Sequence, residues 1–204
     1  MVNKLFQNDL PDDLKIEGDI AIDSETRGLN IFKRDRLCVV QIGDSKGNAY
    51  LVQFKNSEFD KAKNLKKLLA DDSRVKILHY ARFDVAAIKI FLGVEMKNIF
   101  CTKIASRLVR TYTDKHGLKD LVKEVLDVDL SKQAQCSDWA SELTDKQVDY
   151  AASDVLHLHG LKAHLEKMLK EEGREALAKK CFDFIPARVE LDIAGWPEED
   201  IFAH

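Results

Sequence analysis

Cysteines, prolines and long apolar runs are scarce in this chain of 204 residues. Its four cysteines, Cys38, Cys101, Cys136 and Cys181, lack CxxC or zinc spacing, which argues against a disulfide framework and favours reduced thiols in the cytoplasm. No segment approaches the ~20 apolar residues of a membrane span. The N-terminal stretch MVNKLFQNDLPDDLK lacks the apolar core of a signal peptide, so we expect neither a secretion signal nor membrane contact.

A strong excess of one charge and linker-like segments are also absent. The net charge of −3 argues against a long, non-specific nucleic-acid footprint, which needs a basic excess. A small site that grips a short anionic ligand through metal ions remains compatible with that charge. With three prolines and no repeats or low-complexity tracts, we expect one domain over residues 1–204.

Apolar alternation and helical spacing together predict an α/β protein. Strands are predicted at 19–23, 37–43, 48–54 and 75–79, with a further short strand at 98–101. Helices are predicted at 58–72, 83–93, 102–110, 117–126 and 144–173, the last opened by a capping box of Thr144 and Gln147. Gly93 and Gly173 end two of these helices. This order of elements favours an antiparallel meander followed by crossover strands, a mixed sheet with helices packed on it.

Acidic residues lie at a strand end, at a helix start and on a helix face among these elements. Asp23 and Glu25, in DSE, lie two apart in a strand and therefore face the same side. Asp84 opens a helix, while Tyr150 and Asp154 lie four apart on one helix face. Each pattern alone has an ordinary explanation: a solvated strand end, a first-turn acid that favours the helix dipole, and a partly exposed tyrosine beside a helical acid.

Taken together, the four acids indicate a metal site. Converging carboxylates raise one another's pKa, so such a cluster requires cations. Carboxylate oxygens suit Mg²⁺ or Mn²⁺. Two such ions about 3.5–4 Å apart would make the cluster a site for phosphodiester hydrolysis.

The three motifs carry a resemblance to a known family. DSE, HYARFD and YAASD occur in the order of the DEDD 3′–5′ exonucleases, and the tyrosine of the last motif is similar to that of the DEDDy branch. The segment DLSKQAQCSDWASELTDKQVDYAASDVLHL resembles RNase D, and the resemblance covers about residues 15–170. SETRGLN, RLCVVQIGD, DKHGLKDL and GWPEEDIFAH are similar to the nanoRNase C branch. The implied fold is an RNase H-like (DnaQ-like) mixed sheet flanked by helices.

The resemblance also implies roles for the motif residues. Two divalent ions, Mg²⁺ or Mn²⁺, would be held by Asp23, Glu25, Asp84 and Asp154, with Asp23 bridging both. Tyr150 would orient the attacking water, because an unperturbed tyrosine, with a pKa of about 10, is a poor base at pH 7. The implied activity is 3′–5′ hydrolysis of very short RNA, including dinucleotides, by a homo-oligomeric ring, an octamer by family resemblance.

Six residues are candidates for substrate contact: Thr26, Leu29, His79, Phe83, Arg110 and Lys132. Leu29 is interpreted as a wedge between two bases or as a buried loop leucine, and His79 as a substrate contact or a core histidine. Basic residues at 107–119, including Arg110, would bind a terminal phosphate or form a solvated helix face. Lys132 is interpreted as a residue near the substrate or as a solvated surface lysine. Trp139 is predicted to pack inside the protein rather than to stack on a base.

Other functions and a second role for the C-terminal segment remain open at this point. The alternatives are a broader RNase D-like trimming enzyme or DNA 3′–5′ exonuclease, a non-catalytic nucleic-acid-binding module, and an assembly scaffold. The segment of about 183–204, which follows the last predicted helix, would either fold back on its own domain or cover a neighbouring subunit. The apolar residues that suggest this are Phe182, Phe184, Ile185, Trp196, Ile201 and Phe202.

Overall fold

A mixed six-stranded sheet forms the centre of the computed structural model, which describes residues 2–130 and 137–203. The strand order is β1-β4-β3-β2-β5-β6. Strands β2, β3 and β4 form the predicted antiparallel meander, and β1, β5 and β6 each pair in parallel with a neighbour. The strands are β1 Asn3–Gln7, β2 Ile20–Thr26, β3 Leu37–Gly43, β4 Ala49–Gln53, β5 Lys76–Leu78 and β6 Ile99–Cys101.

Seven helices pack around this sheet in the described residues. Helix α5 lies against β2, β3 and β4, while α7 packs on α2, and α6 contacts α3 and α4. The helices are α1 Lys63–Leu69, α2 Ala81–Leu92, α3 Thr102–Val109, α4 Leu118–Leu126, α5 Asp145–Leu156, α6 Leu158–Glu171 and α7 Glu175–Ala194. None of the helices in 2–130 and 137–203 combines the length and apolar character needed to cross a bilayer.

The prediction of one helix over 144–173 was wrong, because α5 and α6 are separated at His157. The backbone of His157 (φ −96°, ψ −10°) stays close to the helical region, so the buried stripe continues across the break. Periodicity therefore gave no sign of two helices. The capping box at the start of α5 is confirmed: Gln147 N donates to Thr144 Oγ1, and Thr144 N donates to Gln147 Oε1.

The placement of 183–204 after the last helix was also wrong. Residues up to Ala194 belong to α7, the longest described helix, which contains Pro186. Although proline removes a helical hydrogen bond, the buried side chains of Phe182, Ile185 and Val189 fix this helix to the rest of the molecule. The apolar residues of the segment divide between core and surface: Phe182 and Ile185 are buried, whereas Phe184, Trp196, Ile201 and Phe202 are exposed.

Strand β1 had no counterpart in the sequence-based prediction. It is an edge strand whose five residues are exposed or half-buried, so it lacks the apolar run that marks the central strands. Its position is set by the parallel pairing with β4, a contact far along the chain. Of the cysteines, Cys38, Cys101 and Cys181 are free thiols, while Cys136 lies outside the described residues.

Candidate metal centre

Strand β2 presents Asp23 and Glu25 on one face of the sheet, as the two-residue spacing predicts. In the antiparallel pairing with β3, Asp23 lies opposite Gln41 and Glu25 lies opposite Val39. The register shifts between Glu25 and Thr26, so a bulge ends the regular strand directly beside the two acids. At this position Asp23 and Glu25 are half-buried.

Helix α5 brings Asp154 to the same place. Its close approach to the sheet depends on Gly43 of β3, where a Cβ atom would lie 3.1 Å from both the Cβ and the carbonyl oxygen of Val155. Carboxylate oxygens of Asp23, Glu25 and Asp154 all lie within 4.8 Å of one another. Such a set of oxygens is a donor group for a hard divalent cation.

Asp84, the fourth predicted acid, lies near Asp23 on the other side of β2 but is not one of the three acids whose oxygens lie within 4.8 Å of one another. It lies in the first turn of α2, is buried, and its Oδ1 accepts a hydrogen bond from Ser24 Oγ at 2.6 Å. Because Ser24 alternates with Asp23 and Glu25, its side chain points to the opposite face of the strand. Ser24 thus links the fourth acid to the strand that carries the first two, a role that the acidic motif itself did not reveal.

Burial raises the pKa of all four acids, and repulsion by neighbouring carboxylates adds to this shift for Glu25, Asp84 and Asp154. Burial is the first cause in each case, and it raises the pKa of Asp23 to about 7 and that of Asp154 to about 8, the latter with a contribution from Asp23. The pKa of Glu25 rises to about 10 because three neighbouring acids add to the effect of burial. The pKa of Asp84 is also raised, by burial and by Asp23, although the Ser24 hydroxyl opposes the shift. The cluster is therefore costly to ionise without a cation.

Tyr150 lies one helical turn before Asp154, on the same side of α5, and is half-buried. Its ring centroid is 6.1 Å from that of Trp139. Trp139 is buried and its carbonyl oxygen accepts a hydrogen bond from Gln53 Nε2, so the predicted packing role of this tryptophan is confirmed.

The loop after β2 places Leu29 in solvent. Leu29 is 84% exposed, which rules out the alternative of a buried loop leucine. Thr26 Oγ1 donates to the Gly28 carbonyl at 2.7 Å, and Asp35 Oδ2 accepts from Asn30 N at 2.9 Å. These bonds hold the loop with the leucine side chain presented outwards.

His79 lies between β5 and α2, Phe83 lies in the first turn of α2, and both are half-buried. His79 Nδ1 is 2.9 Å from Thr102 Oγ1. Burial, and secondly the charge of Lys103, lowers the pKa of His79 to about 4, so its imidazole is neutral at pH 7. The histidine is therefore suited to a hydrogen bond rather than to a charge contact with phosphate.

Two further substrate candidates are Arg110, which the structure contradicts, and Lys132, which it does not describe. Arg110 is fully buried, and its guanidinium donates to both oxygens of Glu124, to Ser106 Oγ and to the Lys115 carbonyl. The prediction that Arg110 binds a terminal phosphate is thus wrong, because the side chain ties α3 to α4 inside the protein. Lys132 lies outside the described residues.

A family profile described as 3′–5′ exonuclease matches residues 4–170 of the chain. Ribonuclease D of Granulibacter bethesdensis is 33% identical over 169 residues, an alignment that covers 80% of this chain and 40% of that protein. DNA polymerase I of Aquifex aeolicus is 33% identical over 197 residues, covering 87% of this chain and 32% of that protein. The chain therefore spans less than half the length of either relative.

Solved structures of NrnC from Brucella melitensis match over the whole chain. One has a TM-score of 0.93 at 53% identity and is covered completely. A structure of NrnC with bound Mg²⁺ gives 0.92 at 51% identity with full coverage of both chains, and one bound to pGG gives 0.92 at 52%, with 98% of that chain covered. These matches confirm the predicted RNase H-like (DnaQ-like) fold.

Proposed function

The chain belongs to the 3′–5′ exonuclease family, in a branch with NrnC, and from this premise we propose that it hydrolyses very short RNA to nucleoside 5′-monophosphates. The proposed substrates are dinucleotides and short oligoribonucleotides, and the proposed reaction requires divalent metal ions. The observation that carries the proposal is the convergence of three carboxylates within 4.8 Å at the end of β2.

The residues at this site fit divalent cations. The donor set consists of carboxylate oxygens, which suit Mg²⁺ and Mn²⁺. Burial raises the pKa of Asp23, Glu25 and Asp154, like charges raise the pKa of Glu25 and Asp154 further, and a bound cation would stabilise the ionised form of all three. We propose that these three side chains and Asp84 hold two ions, with Asp23 shared between them. Bound ions of this kind activate water and neutralise charge on the phosphate.

Tyr150 and Leu29 are proposed to act on the substrate directly. The phenol of Tyr150, one turn from Asp154, would orient the water that attacks phosphorus, so that the 3′-terminal nucleotide leaves as a 5′-monophosphate. Leu29 is exposed in the loop after β2 and is proposed to separate the two bases. Thr26, His79 and Phe83 are proposed to contact the substrate around this loop and the start of α2.

A basic cavity near His79 supports a short substrate with a terminal phosphate. It has a volume of about 540 Å³ and is lined by Lys103 and Arg107, by Arg82 and Arg188, which both pair with Asp192, and by apolar side chains that include Phe184 and Ile185. Lys103 Nζ lies 4.2 Å from the centroid of the Tyr80 ring.

Strand register places this cavity close to the acids. Ile22 pairs with Leu78, and Leu78 pairs with Cys101, so Asp23, His79 and Thr102 follow one another at the same edge of the sheet. The backbone of Lys103 therefore lies about two strand spacings, roughly 10 Å, from the backbone of Asp23. That separation suits a phosphate close to the scissile one, so we propose that Lys103 and Arg107 bind it.

A length series tests the proposed substrate. We expect kcat/KM for RNA dinucleotides to exceed that for 20-mers by about tenfold or more, and 5′-phosphorylated dinucleotides to exceed their 5′-hydroxyl counterparts because of the basic cavity. The measurement is release of mononucleotides from RNA of 2 to 20 residues. Equal rates on 2-mers and 20-mers would contradict the short-substrate proposal and favour RNase D-like trimming.

A DNA 3′–5′ exonuclease is the second candidate, favoured by the similarity to DNA polymerase I of Aquifex aeolicus. Running the same length series with DNA distinguishes the two. DNA hydrolysed at rates equal to or above those for RNA at every length would favour this second candidate.

We also propose a homo-oligomer, formed through the exposed apolar side chains at the end of α7 and after it. Trp196, Ile201 and Phe202 are 45%, 45% and 76% exposed. We expect the double substitution Ile201→Ser and Phe202→Ser to lower the sedimentation coefficient to that of a smaller assembly. Leu177→Ser, at an exposed apolar position near the start of α7, is the control and should leave it unchanged. An unchanged coefficient in the double variant would contradict this interface.

A further inference from the structure

A glutamine without a hydrogen-bond partner lies inside the sheet next to the acids. Gln41 of β3 is fully buried, and neither its Nε2 nor its Oε1 has a partner among residues 2–130 and 137–203. A buried amide in this condition destabilises the folded protein, and most buried polar side chains are hydrogen-bonded. Packing therefore does not explain why a glutamine stands inside the apolar run VVQIG.

A second glutamine on the same sheet face shows how the fold satisfies such a side chain. Gln53 of β4 is also fully buried, but its Nε2 donates to the carbonyl oxygens of Trp139 and Ser141 at 3.1 and 2.7 Å. Its Oε1 accepts from Gln7 Nε2 at 3.1 Å. Gln53 thus has a structural role that Gln41 lacks.

The register places Gln41 beside the metal centre. Gln41 pairs directly with Asp23 across β2 and β3, so the two side chains share a face, with Cβ atoms roughly 4.5–5.5 Å apart. Helix α5, which carries Asp154, covers this face and has Ala151 and Ala152 among its buried residues.

We propose that Gln41 is a positioning residue of the metal centre: when a divalent ion is bound, its amide N–H holds the Asp23 carboxylate and its carbonyl oxygen accepts from a water beside the ion. The inference rests on the proposed metal-dependent function. An N–H donated to a carboxylate favours the ionised form, which is the form that binds a cation. Groups that hold metal ligands in this way contribute about 10- to 100-fold to metal affinity.

The test uses Gln41→Met, which keeps the length of the side chain and removes both hydrogen-bonding groups. We expect Mn²⁺ binding, measured by calorimetry at pH 8, to weaken about tenfold or more. In EDTA the Tm is expected to equal or exceed that of the unsubstituted protein, because a buried amide without partners is removed. The Mn²⁺ concentration that gives half-maximal hydrolysis should rise by the same factor as the dissociation constant.

Gln53→Met is the matched control, since it places the same substitution at the satisfied glutamine. It should lower the Tm in EDTA and leave Mn²⁺ affinity within about twofold of the original. If Gln41→Met behaves like this control, Gln41 is merely structural and the inference is overturned. Unchanged Mn²⁺ affinity with a raised Tm also overturns it, because the amide would then contribute nothing to metal binding.

Two further results separate this inference from the function on which it rests. If the unsubstituted protein binds no Mn²⁺, with or without nucleotide, the proposed metal-dependent function itself fails. If it binds Mn²⁺ and Gln41→Met does not fold, Gln41→Leu takes its place under the same criteria. Should neither variant fold in EDTA, Gln41 is required by the metal-free fold and the inference is overturned.

Discussion

Asp154→Asn is expected to lower the rate of RNA dinucleotide hydrolysis by about three orders of magnitude or more. The substitution keeps the shape of the side chain and removes one of the three carboxylates that lie within 4.8 Å of one another. Loss of a ligand to a catalytic cation removes several kcal/mol of transition-state stabilisation, and each 1.36 kcal/mol corresponds to about a tenfold change in rate. The measurement is kcat/KM at saturating Mg²⁺ or Mn²⁺, with folding checked by circular dichroism.

Asp149→Asn provides the control for this experiment. Asp149 lies on the same helix, is exposed, and accepts a hydrogen bond from Asn3 Nδ2 at 2.9 Å at the sheet edge. Its substitution removes the same charge from α5 without changing the carboxylate cluster, so activity should stay within about threefold of the original. A folded Asp154→Asn protein with normal activity would refute the assignment of the site. An equal loss in both variants would mean that the net charge of α5, rather than metal binding, controls the rate.

The sequence predicted those elements whose signals are local. Strand β3 was predicted at its observed bounds because residues 37–43 are apolar except for Gln41 and have β-branched residues in their centre. The start of α5 was predicted because the capping box requires only Thr144 and Gln147. Strand β1 and helix α7 were missed because their stability comes from distant partners: β4 for the polar edge strand, and α2 for the helix that contains Pro186.

The residues of the candidate site show the same difference between local signals and long-range contacts. The four acids and Tyr150 were predicted as site residues because strand and helix periodicities fix which residues share a face, and the motif order then supplied the resemblance; the structure brings together Asp23, Glu25 and Asp154. Ser24 as the partner of Asp84, and Gln41 as the neighbour of Asp23, depend on strand register and long-range packing, which no local pattern encodes. Arg110 was misassigned for the same reason, because Glu124 on another helix decides that this arginine is buried.

Without metal, the protein is expected to become less stable as the pH rises from 5.5 to 9. In the folded state the pKa of Asp23 is raised to about 7, that of Asp154 to about 8 and that of Glu25 to about 10, whereas unfolded acids titrate near 4. Folded protein thus binds more protons than unfolded protein in this range, so the free energy of unfolding falls as the pH rises. We expect a loss of several kcal/mol, seen as a lower Tm in EDTA at pH 9 than at pH 5.5.

Divalent metal should reverse this loss, and two measurements of Tm check the explanation. Because ionised carboxylates bind the cation and protonated ones do not, Mg²⁺ or Mn²⁺ should raise the Tm strongly at pH 9 and weakly at pH 5.5. Asp154→Asn, the variant expected to be inactive, should be more stable than the original protein in EDTA at pH 9, since it removes one repelling charge from Asp23 and Glu25. A metal-free Tm that rises between pH 5.5 and 9, or an Asp154→Asn protein that is less stable than the original in EDTA at pH 9, would show that the carboxylates do not repel one another as their positions require.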